Sequence, residues 1–432
     1  MSMSSRAVVQ GQEQRQGDSV HAADANSASL TRNAILTSNG WRAAGVRRGS
    51  SLLNRLAASD GQAGKTARFI RHAWERRVHK ERFIDAGKTP YQRIAGDDIM
   101  EVRYYPPQDS GAFQIDHDEV VPVQARHRVP VLLVPPLGVY GWVYDLMAER
   151  SWVRFLNALG FDVYLVDWGA PQRAQASDLT LENYVNRWMV QAVGAVQEHS
   201  GEKEISLVGY CMGGLLCLLY TAAHGDGQVK NLVTIASPID FHANPGGGKV
   251  LQIVNSGANK LGIKKVARAT RRVAPENFHV SGEILSVLFK LTDPFSSVFS
   301  YFDLVRHLSD REYVKSHLTM YEWFNNMVDY PGATVQRLVF DFGFGNELAS
   351  GQVRLGDQLA DLRKIRSNYL AFAGSSDLIV GVAAAHKGME LLGSEDKTFR
   401  IVPGGHAGVF AGGRAKAHTW AQTAEWLADR SA

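Results

Sequence analysis

The segment Ile205–His224 reads ISLVGYCMGGLLCLLYTAAH and contains no Asp, Glu, Lys or Arg. Its length would suffice for a membrane-spanning helix. However, Gly209, Gly213 and Gly214 divide it, with strand-forming residues before them and helix-forming residues after them. We therefore interpret the segment as a buried strand, a tight turn and a buried helix.

The sequence on both sides of this segment alternates between short apolar stretches and helical patterns. The predicted strands cover residues 98–105, 129–134, 161–166, 205–208, 229–235, 368–373 and 398–402. The predicted helices cover residues 152–159, 181–198, 215–223 and 419–430. Wholly apolar strands that alternate with helices are typical of a parallel sheet with both faces covered. The chain is therefore predicted to be an α/β protein with a wound, mostly parallel sheet.

Composition divides the chain into three regions. Residues 1–64 are rich in Ser, Ala, Gln, Asn and Gly, so we expect a flexible polar tail. Residues 65–240 and 366–432 are predicted to form the α/β core, which opens with an amphipathic helix at 65–85. Residues 241–365 contain helical patterns, many aromatic residues and no clear buried strand. We interpret them as a helical cap inserted after the strand that follows helix 215–223.

Composition also excludes several classes of protein. The 432 residues carry 47 Lys and Arg against 43 Asp and Glu, so the net charge of +4 gives no reason to expect nucleic acid as a partner. Two cysteines exclude a disulfide scaffold or a Cys-rich metal site. No metal-ligand spacing, dinucleotide fingerprint or P-loop occurs, so no metal or cofactor is predicted. No apolar segment follows Met1, so the predicted compartment is the cytoplasm.

Cys211 is the candidate nucleophile. The residues Gly209-Tyr210-Cys211-Met212-Gly213 match the G-x-S-x-G nucleophile elbow with Cys in the Ser position. The elbow is a strained turn between strand and helix, and its flanking residues must be small because backbones approach closely there. The turn places Cys211 at a helix N-terminus, where the amide dipoles favour a thiolate. The other cysteine, Cys217, is interpreted as a buried packing residue.

His406 is the candidate general base among 14 histidines. It follows the predicted strand 398–402 and precedes the last predicted helix. In wound sheets with a nucleophile elbow, the base comes last in chain order, on the loop after a late strand. The other candidates for the general base are His386 and His418 in predicted helices, and His242 and His307 in or near the predicted cap.

Asp377 is the candidate acid that orients the base. It follows the apolar strand 368–373 and lies between Cys211 and His406 in chain order. Asp240, which follows strand 229–235, is the alternative. A turn-capping role would also explain an Asp after Gly-Ser-Ser.

Two backbone N–H groups are expected to bind the oxygen that becomes negatively charged during acyl transfer. One is that of Met212, directly after the nucleophile. The other is expected in the loop Pro135–Gly141, with Val139 as the candidate donor.

The motifs resemble those of polyhydroxyalkanoate synthases and related α/β hydrolases from about Gly87 to Trp426. GYCMGG at 209–214 resembles the synthase lipase box. The similar segments are GKTPYQ at 87–92, GFDVYLVDWGAP at 160–171, LTLENYV at 179–185, Trp323 through Pro331-Gly332, Asn346-Glu347-Leu348, Asp377-Leu-Ile-Val and Gly405-His406. The resemblance implies an α/β-hydrolase fold, with Cys211, Asp377 and His406 as a catalytic triad.

The resemblance further implies an acyltransferase that polymerises 3-hydroxyacyl-CoA and releases CoA. Its expected partners are the acyl-CoA, the growing polyester chain, a second synthase subunit or a second copy of the chain in a homodimer, and the surface of a polyester granule.

Two other functions stay open at this point. A hydrolase or thioesterase with a Cys nucleophile would release free acid, and the loop Gly138–Met147, which differs from the synthase pattern, motivates it. A non-catalytic granule-binding or partner-binding relative is motivated by the basic stretch Lys249–Arg272.

Overall fold

The computed structural model describes residues 66–68, 84–107, 111–116, 118–171, 179–225, 227–245, 248, 273–291, 307 and 309–431. The chain divides into two compact units, Met1–Arg77 and Val78–Ala432. All the strands and helices below belong to the second unit. The predicted tail at 1–64, the predicted helix at 65–85 apart from residues 66–68 and 84–85, and the basic stretch 249–272 lie outside the described residues; residues 84–85 are not helical.

The second unit is built on an eight-stranded sheet. In chain order the strands of the protein are β1 Gln92–Asp97, β2 Met100–Tyr105, β3 Phe113–Ile115, β4 Asp118–Val120, β5 Val131–Val134, β6 Val163–Asp167, β7 Ile205–Tyr210, β8 Val229–Ile235, β9 Gln352–Leu355, β10 Gln358–Asp361, β11 Asn368–Gly374 and β12 Lys397–Val402. The large sheet has the order β1-β2-β6-β5-β7-β8-β11-β12. Its first two pairings are antiparallel and the other five are parallel.

Helices connect and cover these strands. They are α1 Trp152–Ala158, α2 Val190–Ser200, α3 Met212–Ala223, α4 Gly282–Leu291, α5 Arg311–Asn325, α6 Gly332–Arg337, α7 Val382–Leu391, α8 Gly408–Ala411 and α9 Ala421–Ala428. Turns of π-helix lie at Asn183–Met189, Leu338–Phe344 and Lys416–Trp420. Short 3-10 helices lie at Gly141–Tyr144, Ala148–Arg150, Phe241–Ala243, Pro275–Phe278, Glu347–Ser350 and Leu362–Lys364. Within the described residues, no helix combines the length and the apolar character needed to cross a bilayer.

The central strands are apolar throughout because both faces of the sheet are buried. Along β5, Leu132 and Val134 belong to one core cluster, while Val131 and Leu133 belong to the cluster on the other face. Successive strand side chains point to opposite faces, so a strand between two helical layers needs apolar residues at every position. The predicted wound, mostly parallel sheet is therefore confirmed.

Five strands in the described part of the chain were not predicted from the sequence: the edge strand β1 and the hairpins β3–β4 and β9–β10. The edge strand β1 has only Ile94 and Ala95 as apolar residues, so it lacks the signal of a buried strand. The hairpin β9–β10 lies inside the interval predicted to have no clear buried strand. Its alternating residues Val353 and Leu355 are buried in the same cluster as α3. Alternation over four residues is too short to distinguish a strand from a loop.

Candidate active site

Cys211 occupies the turn between β7 and α3. Its backbone has φ 52° and ψ −119°, a conformation that costs free energy for any residue with a Cβ atom. The Cys211 N–H donates to the Ile235 carbonyl at 2.8 Å and ties the turn to the end of β8. The side chain is half-buried, whereas Cys217, one and a half turns along α3, is fully buried. The elbow predicted from the sequence is present in the structure.

Small residues around Cys211 let α3 approach the sheet. A Cβ atom on Gly213 would lie 2.0 Å from the Val134 carbonyl oxygen of β5, and one on Gly209 would lie 2.5 Å from Gly214. Such distances are far below van der Waals contact, and backbone atoms cannot move aside as a flexible side chain can. The two glycines therefore set the distance between the start of α3 and the ends of β5 and β7.

The substitution Gly213→Ala is expected to lower the free energy of unfolding by about 3 kcal/mol or more, because the new methyl group meets backbone on β5. Gly194→Ala is the matched control, since Gly194 also lies inside a helix, is exposed and has nothing within 4 Å of an added Cβ. Helix propensity predicts that the control raises stability by about 0.5–1 kcal/mol. Urea unfolding of both variants measures the difference, and equal effects would contradict the packing argument.

Asp377 and His406 meet at the carboxyl edge of the sheet. Asp377 follows β11 and His406 follows β12, two parallel neighbours whose carboxyl ends lie side by side. The His406 Nδ1 lies 2.8 Å from the Asp377 Oδ2, and both side chains are buried. The other carboxylate oxygen accepts the Ile379 and Val380 N–H groups at 2.8 and 2.9 Å. The carboxylate is thus held by backbone donors on one side and the imidazole on the other.

The electrostatics of the His406 ring depend on Cys211 as well as on Asp377. Burial of the ring lowers its pKa, but the charge of Cys211 and the hydrogen bonds to Asp377 and Cys211 outweigh burial and raise the pKa of His406 to about 10. The arrangement therefore favours an imidazolium between two partners that can carry negative charge. It joins Cys211, His406 and Asp377, the three residues that sequence order predicted to act together.

The raised pKa predicts a pH-dependent contribution to stability. In the unfolded chain the His406 pKa returns to about 6.5. Because the folded-state pKa is about 10, the contribution is present in full below the unfolded value and is lost as pH rises through about 10. The difference in free energy of unfolding between the wild type and His406→Gln should shrink when pH is raised from about 7 to above 10. A difference that is constant with pH would contradict a charged His406.

Aromatic rings surround the imidazole. The Tyr210 hydroxyl donates to the His406 carbonyl oxygen at 3.1 Å, and the Tyr210 ring stacks on Phe410 at 4.4 Å. From α4, the Phe289 ring lies 6.2 Å from the His406 ring and stacks on Phe324 of α5 at 5.4 Å. Helices from the 241–365 interval therefore contribute apolar surface beside the imidazole of His406.

The predicted oxyanion donors are Met212 at the start of α3 and Val139 in the loop after β5. Met212 is the first residue of α3, where backbone N–H groups have no acceptor in a preceding turn. Within the described part of the chain, the Val139 N–H makes no hydrogen bond. The loop that carries Val139 is held by the Trp168 Nε1–H, which donates to the Pro135 carbonyl at 2.9 Å, and by the Val328 N–H, which donates to the Gly138 carbonyl at 2.8 Å.

Comparison with known proteins identifies the family to which the chain belongs. A family model described as the alpha/beta hydrolase fold matches residues 130–252. The poly(3-hydroxyalkanoate) polymerase subunit PhaC of Allochromatium vinosum is 30% identical over 80% of this chain and 90% of its own length. The chain belongs to the PhaC polymerase family. The PhaC subunit of a Synechocystis species is 32% identical over 70% of this chain and 78% of its own length. A soluble variant of the Saccharomyces cerevisiae monoglyceride lipase superposes with a TM-score of 0.48 at 12% identity, over 80% of this chain and 96% of the lipase.

Membership of the PhaC family confirms the resemblance read from the lipase box and its neighbouring segments. It also makes the chain a member of a family of enzymes with the α/β-hydrolase fold. Among the residues that the structure describes, no group of three or more His, Cys, Asp or Glu side chains is placed to hold a metal ion.

The alternative site residues of this PhaC-family chain make other contacts. Asp240 accepts the N–H groups of His242 and Ala243 and so caps a 3-10 helix. The His242 Nε2 lies 3.0 Å from the Gly343 carbonyl. His386 is exposed beside Glu390 on α7, and the His307 ring contacts Tyr313. Asp377 is the acid that the fold brings to His406.

Sequence reasoning did not single out two aromatic residues at the site, Phe289 and Tyr330. Both lie in the 241–365 interval, far from Cys211 along the chain. No spacing rule connects Phe289 and Tyr330 to the elbow, because their positions depend on the path of the chain between β8 and β11. An aromatic-rich insertion was the available signal, and it does not say which rings face the nucleophile.

Proposed function

We propose that this chain is an acyltransferase that builds a polyester from 3-hydroxyacyl-CoA through an acyl-cysteine at Cys211. The observation that carries the proposal is the 2.8 Å contact of His406 with Asp377, together with Cys211 on a nucleophile elbow and the effect of Cys211 on the His406 pKa. The A. vinosum relative is named as a poly(3-hydroxyalkanoate) polymerase subunit, and this name supports hydroxyacyl units as the substrate class.

In the first step, the proton of the Cys211 thiol already lies on His406, and the Cys211 thiolate attacks the carbonyl carbon of the CoA thioester. A new S–C bond forms while the π electrons of the C=O bond move to the oxygen, where the Met212 and Val139 N–H groups stabilise the charge. The carbonyl re-forms, the bond to the CoA sulfur breaks, and His406 returns the proton to that sulfur. Exchange of one thioester for another costs little free energy, which gives a thiol an advantage over a hydroxyl here.

In the second step, the 3-hydroxyl group of another acyl unit attacks the acyl-cysteine. His406 takes the hydroxyl proton, an O–C ester bond forms, and the S–C bond to Cys211 breaks. The proton stays on His406 beside the regenerated Cys211 thiolate, which restores the starting state. Asp377 holds the imidazole in the orientation and charge state that both transfers need.

The aromatic residues from the 241–365 interval support transfer to a hydroxyl rather than to water. Phe289 contacts the His406 ring, and Trp323 stacks on Phe324 at 5.0 Å and reaches Phe410 at 6.3 Å. A base lined by such apolar rings is poorly hydrated, so a hydroxyl delivered on a bound acyl chain competes well with water.

The direct test is incubation of the full chain with 3-hydroxybutyryl-CoA while free CoA, free 3-hydroxybutyrate and polymer are measured together. CoA release with polymer is the expected result. CoA release with an equal amount of free acid and no polymer would instead identify a thioesterase, and no CoA release would favour a non-catalytic relative. Because the A. vinosum relative is named as a subunit, each measurement should be repeated with an added PhaC-partner subunit.

A further inference from the structure

Tyr330 lies beside the loop that carries the proposed oxyanion donor Val139. Its neighbour Val328 donates its N–H to the Gly138 carbonyl of that loop at 2.8 Å. On the other side, Tyr330 pairs with Val280 in an antiparallel bridge, with the Tyr330 N–H donating to the Val280 carbonyl at 2.8 Å. Backbone contacts on both sides therefore fix the position of Tyr330 against the loop.

The Tyr330 ring rests on Gly138. A Cβ atom at Gly138 would lie 2.4 Å from the Tyr330 Cε2, and Gly138 has φ +83°, a conformation suited to glycine. Any side chain at position 138 would therefore displace the ring. The ring also packs against the core cluster to which Leu137 and Met212 belong.

The Tyr330 hydroxyl is a neutral donor that has no acceptor among the residues described by the structure. Burial, together with the charges of Cys211 and Tyr184, raises the pKa of Tyr330 well above its usual value, so its proton stays bound at every working pH. Among the described residues, no hydrogen bond to this hydroxyl occurs. The loop under the Tyr330 ring packs on the elbow, since a Cβ atom on Gly213 would lie 2.0 Å from the Val134 carbonyl oxygen and 2.8 Å from the Pro135 carbonyl oxygen.

Tyr330 and His406 approach Cys211 from different packing clusters. The His406 ring contacts Tyr210, which belongs to the cluster on one face of the sheet, whereas Tyr330 packs on the cluster of the opposite face. His406 exchanges protons with the thiol and with the attacking hydroxyl. The carbonyl oxygen of the bound acyl group therefore needs a different hydrogen-bond donor, on the side of the loop that carries Val139.

We infer that Tyr330 is a further catalytic residue, whose hydroxyl donates a hydrogen bond to the acyl carbonyl oxygen at Cys211 beside the Met212 and Val139 N–H groups. This inference rests on the proposed function. No proton is transferred: the hydroxyl keeps its hydrogen, and the hydrogen bond strengthens as negative charge develops on the oxygen.

The test is Tyr330→Phe, which keeps the ring on Gly138 and removes only the hydroxyl. With 3-hydroxybutyryl-CoA, we expect kcat for CoA release to fall by roughly 100-fold, with little change in KM, because one donor to the developing oxyanion is lost. Tyr220→Phe is the control, since Tyr220 lies near the far end of α3 and its hydroxyl donates to Gln228. Its kcat should equal that of the wild type.

Alkylation by iodoacetamide separates this role from activation of the thiol. The alkylation forms no oxyanion, so Cys211 should react at the same rate in the wild type and in Tyr330→Phe, which also reports that the variant has a folded site. A parallel loss of both rates would overturn the inference and assign the hydroxyl to the thiolate. An active wild type with unchanged kcat in Tyr330→Phe overturns the inference alone, whereas a wild type that releases no CoA overturns the proposed function as well.

Discussion

Replacement of Cys211 by Ala is expected to lower CoA release from 3-hydroxybutyryl-CoA by roughly 10⁴-fold or more and to abolish polymer. The reason is that no other group at the elbow can form the covalent acyl intermediate. Mass spectrometry of the wild type after a single turnover should find the acyl group on the peptide that contains Cys211. Full activity of Cys211→Ala would exclude the acyl-cysteine mechanism.

Cys217→Ala is the matched control for this prediction. Cys217 is the second thiol of the same helix, but it is fully buried, and burial raises the pKa of its thiol far above the usual value. It therefore forms no thiolate. The substitution should cost about 1–2 kcal/mol of stability through the lost packing and leave kcat unchanged. Loss of acylation in both variants would point to a defect of the helix rather than to Cys211 chemistry.

Replacement of Asp377 by Asn is expected to lower kcat by roughly 10⁴-fold while leaving the fold intact. The amide oxygen can still accept the Ile379 and Val380 N–H groups. However, an amide N–H would then face the His406 Nδ1, and this favours the tautomer that carries its hydrogen on Nε2. That tautomer cannot take the thiol proton. The pH dependence of kcat should also change, because the carboxylate that helps to raise the His406 pKa is gone.

Asp240→Asn tests the alternative acid. Asp240 caps the 3-10 helix Phe241–Ala243 and accepts the Asn346 Nδ2–H at 2.9 Å. An Asn side chain can cap the same helix and keep an acceptor oxygen, so activity should be retained. If Asp240→Asn reduced kcat as strongly as Asp377→Asn, the assignment of the orienting acid would be wrong.

The sequence indicates the nucleophile Cys211 more directly than it indicates the orienting acid Asp377. Gly209 and Gly213 around Cys211 indicate the elbow directly, because only small residues fit between α3 and the sheet. Asp377 was harder to choose, since Asp240 also follows a strand in the right part of the chain. The distance of 2.8 Å between the Asp377 Oδ2 and the His406 Nδ1 identifies Asp377, rather than Asp240, as the carboxylate beside the base.

The strands also differ in how strongly the local sequence indicates them. The largely apolar strands β5, β7 and β8 were recognisable because each is buried on both faces. The edge strand β1 and the hairpin β9–β10 were missed, since exposed or four-residue strands carry little hydrophobic signal. The domain boundaries at 64, 240 and 365 stay predictions.

The sequence by itself determined the local features of this protein: the wound order of strands and helices, the glycine-flanked elbow, and the late positions of Asp377 and His406. These depend on short-range sterics and on hydrophobic periodicity, which neighbouring residues encode. The tertiary structure alone decided which carboxylate reaches the base, that Phe289 lines the imidazole, and that Tyr330 lies on Gly138. Contacts between residues far apart along the chain depend on how the whole fold closes, and no local pattern records them.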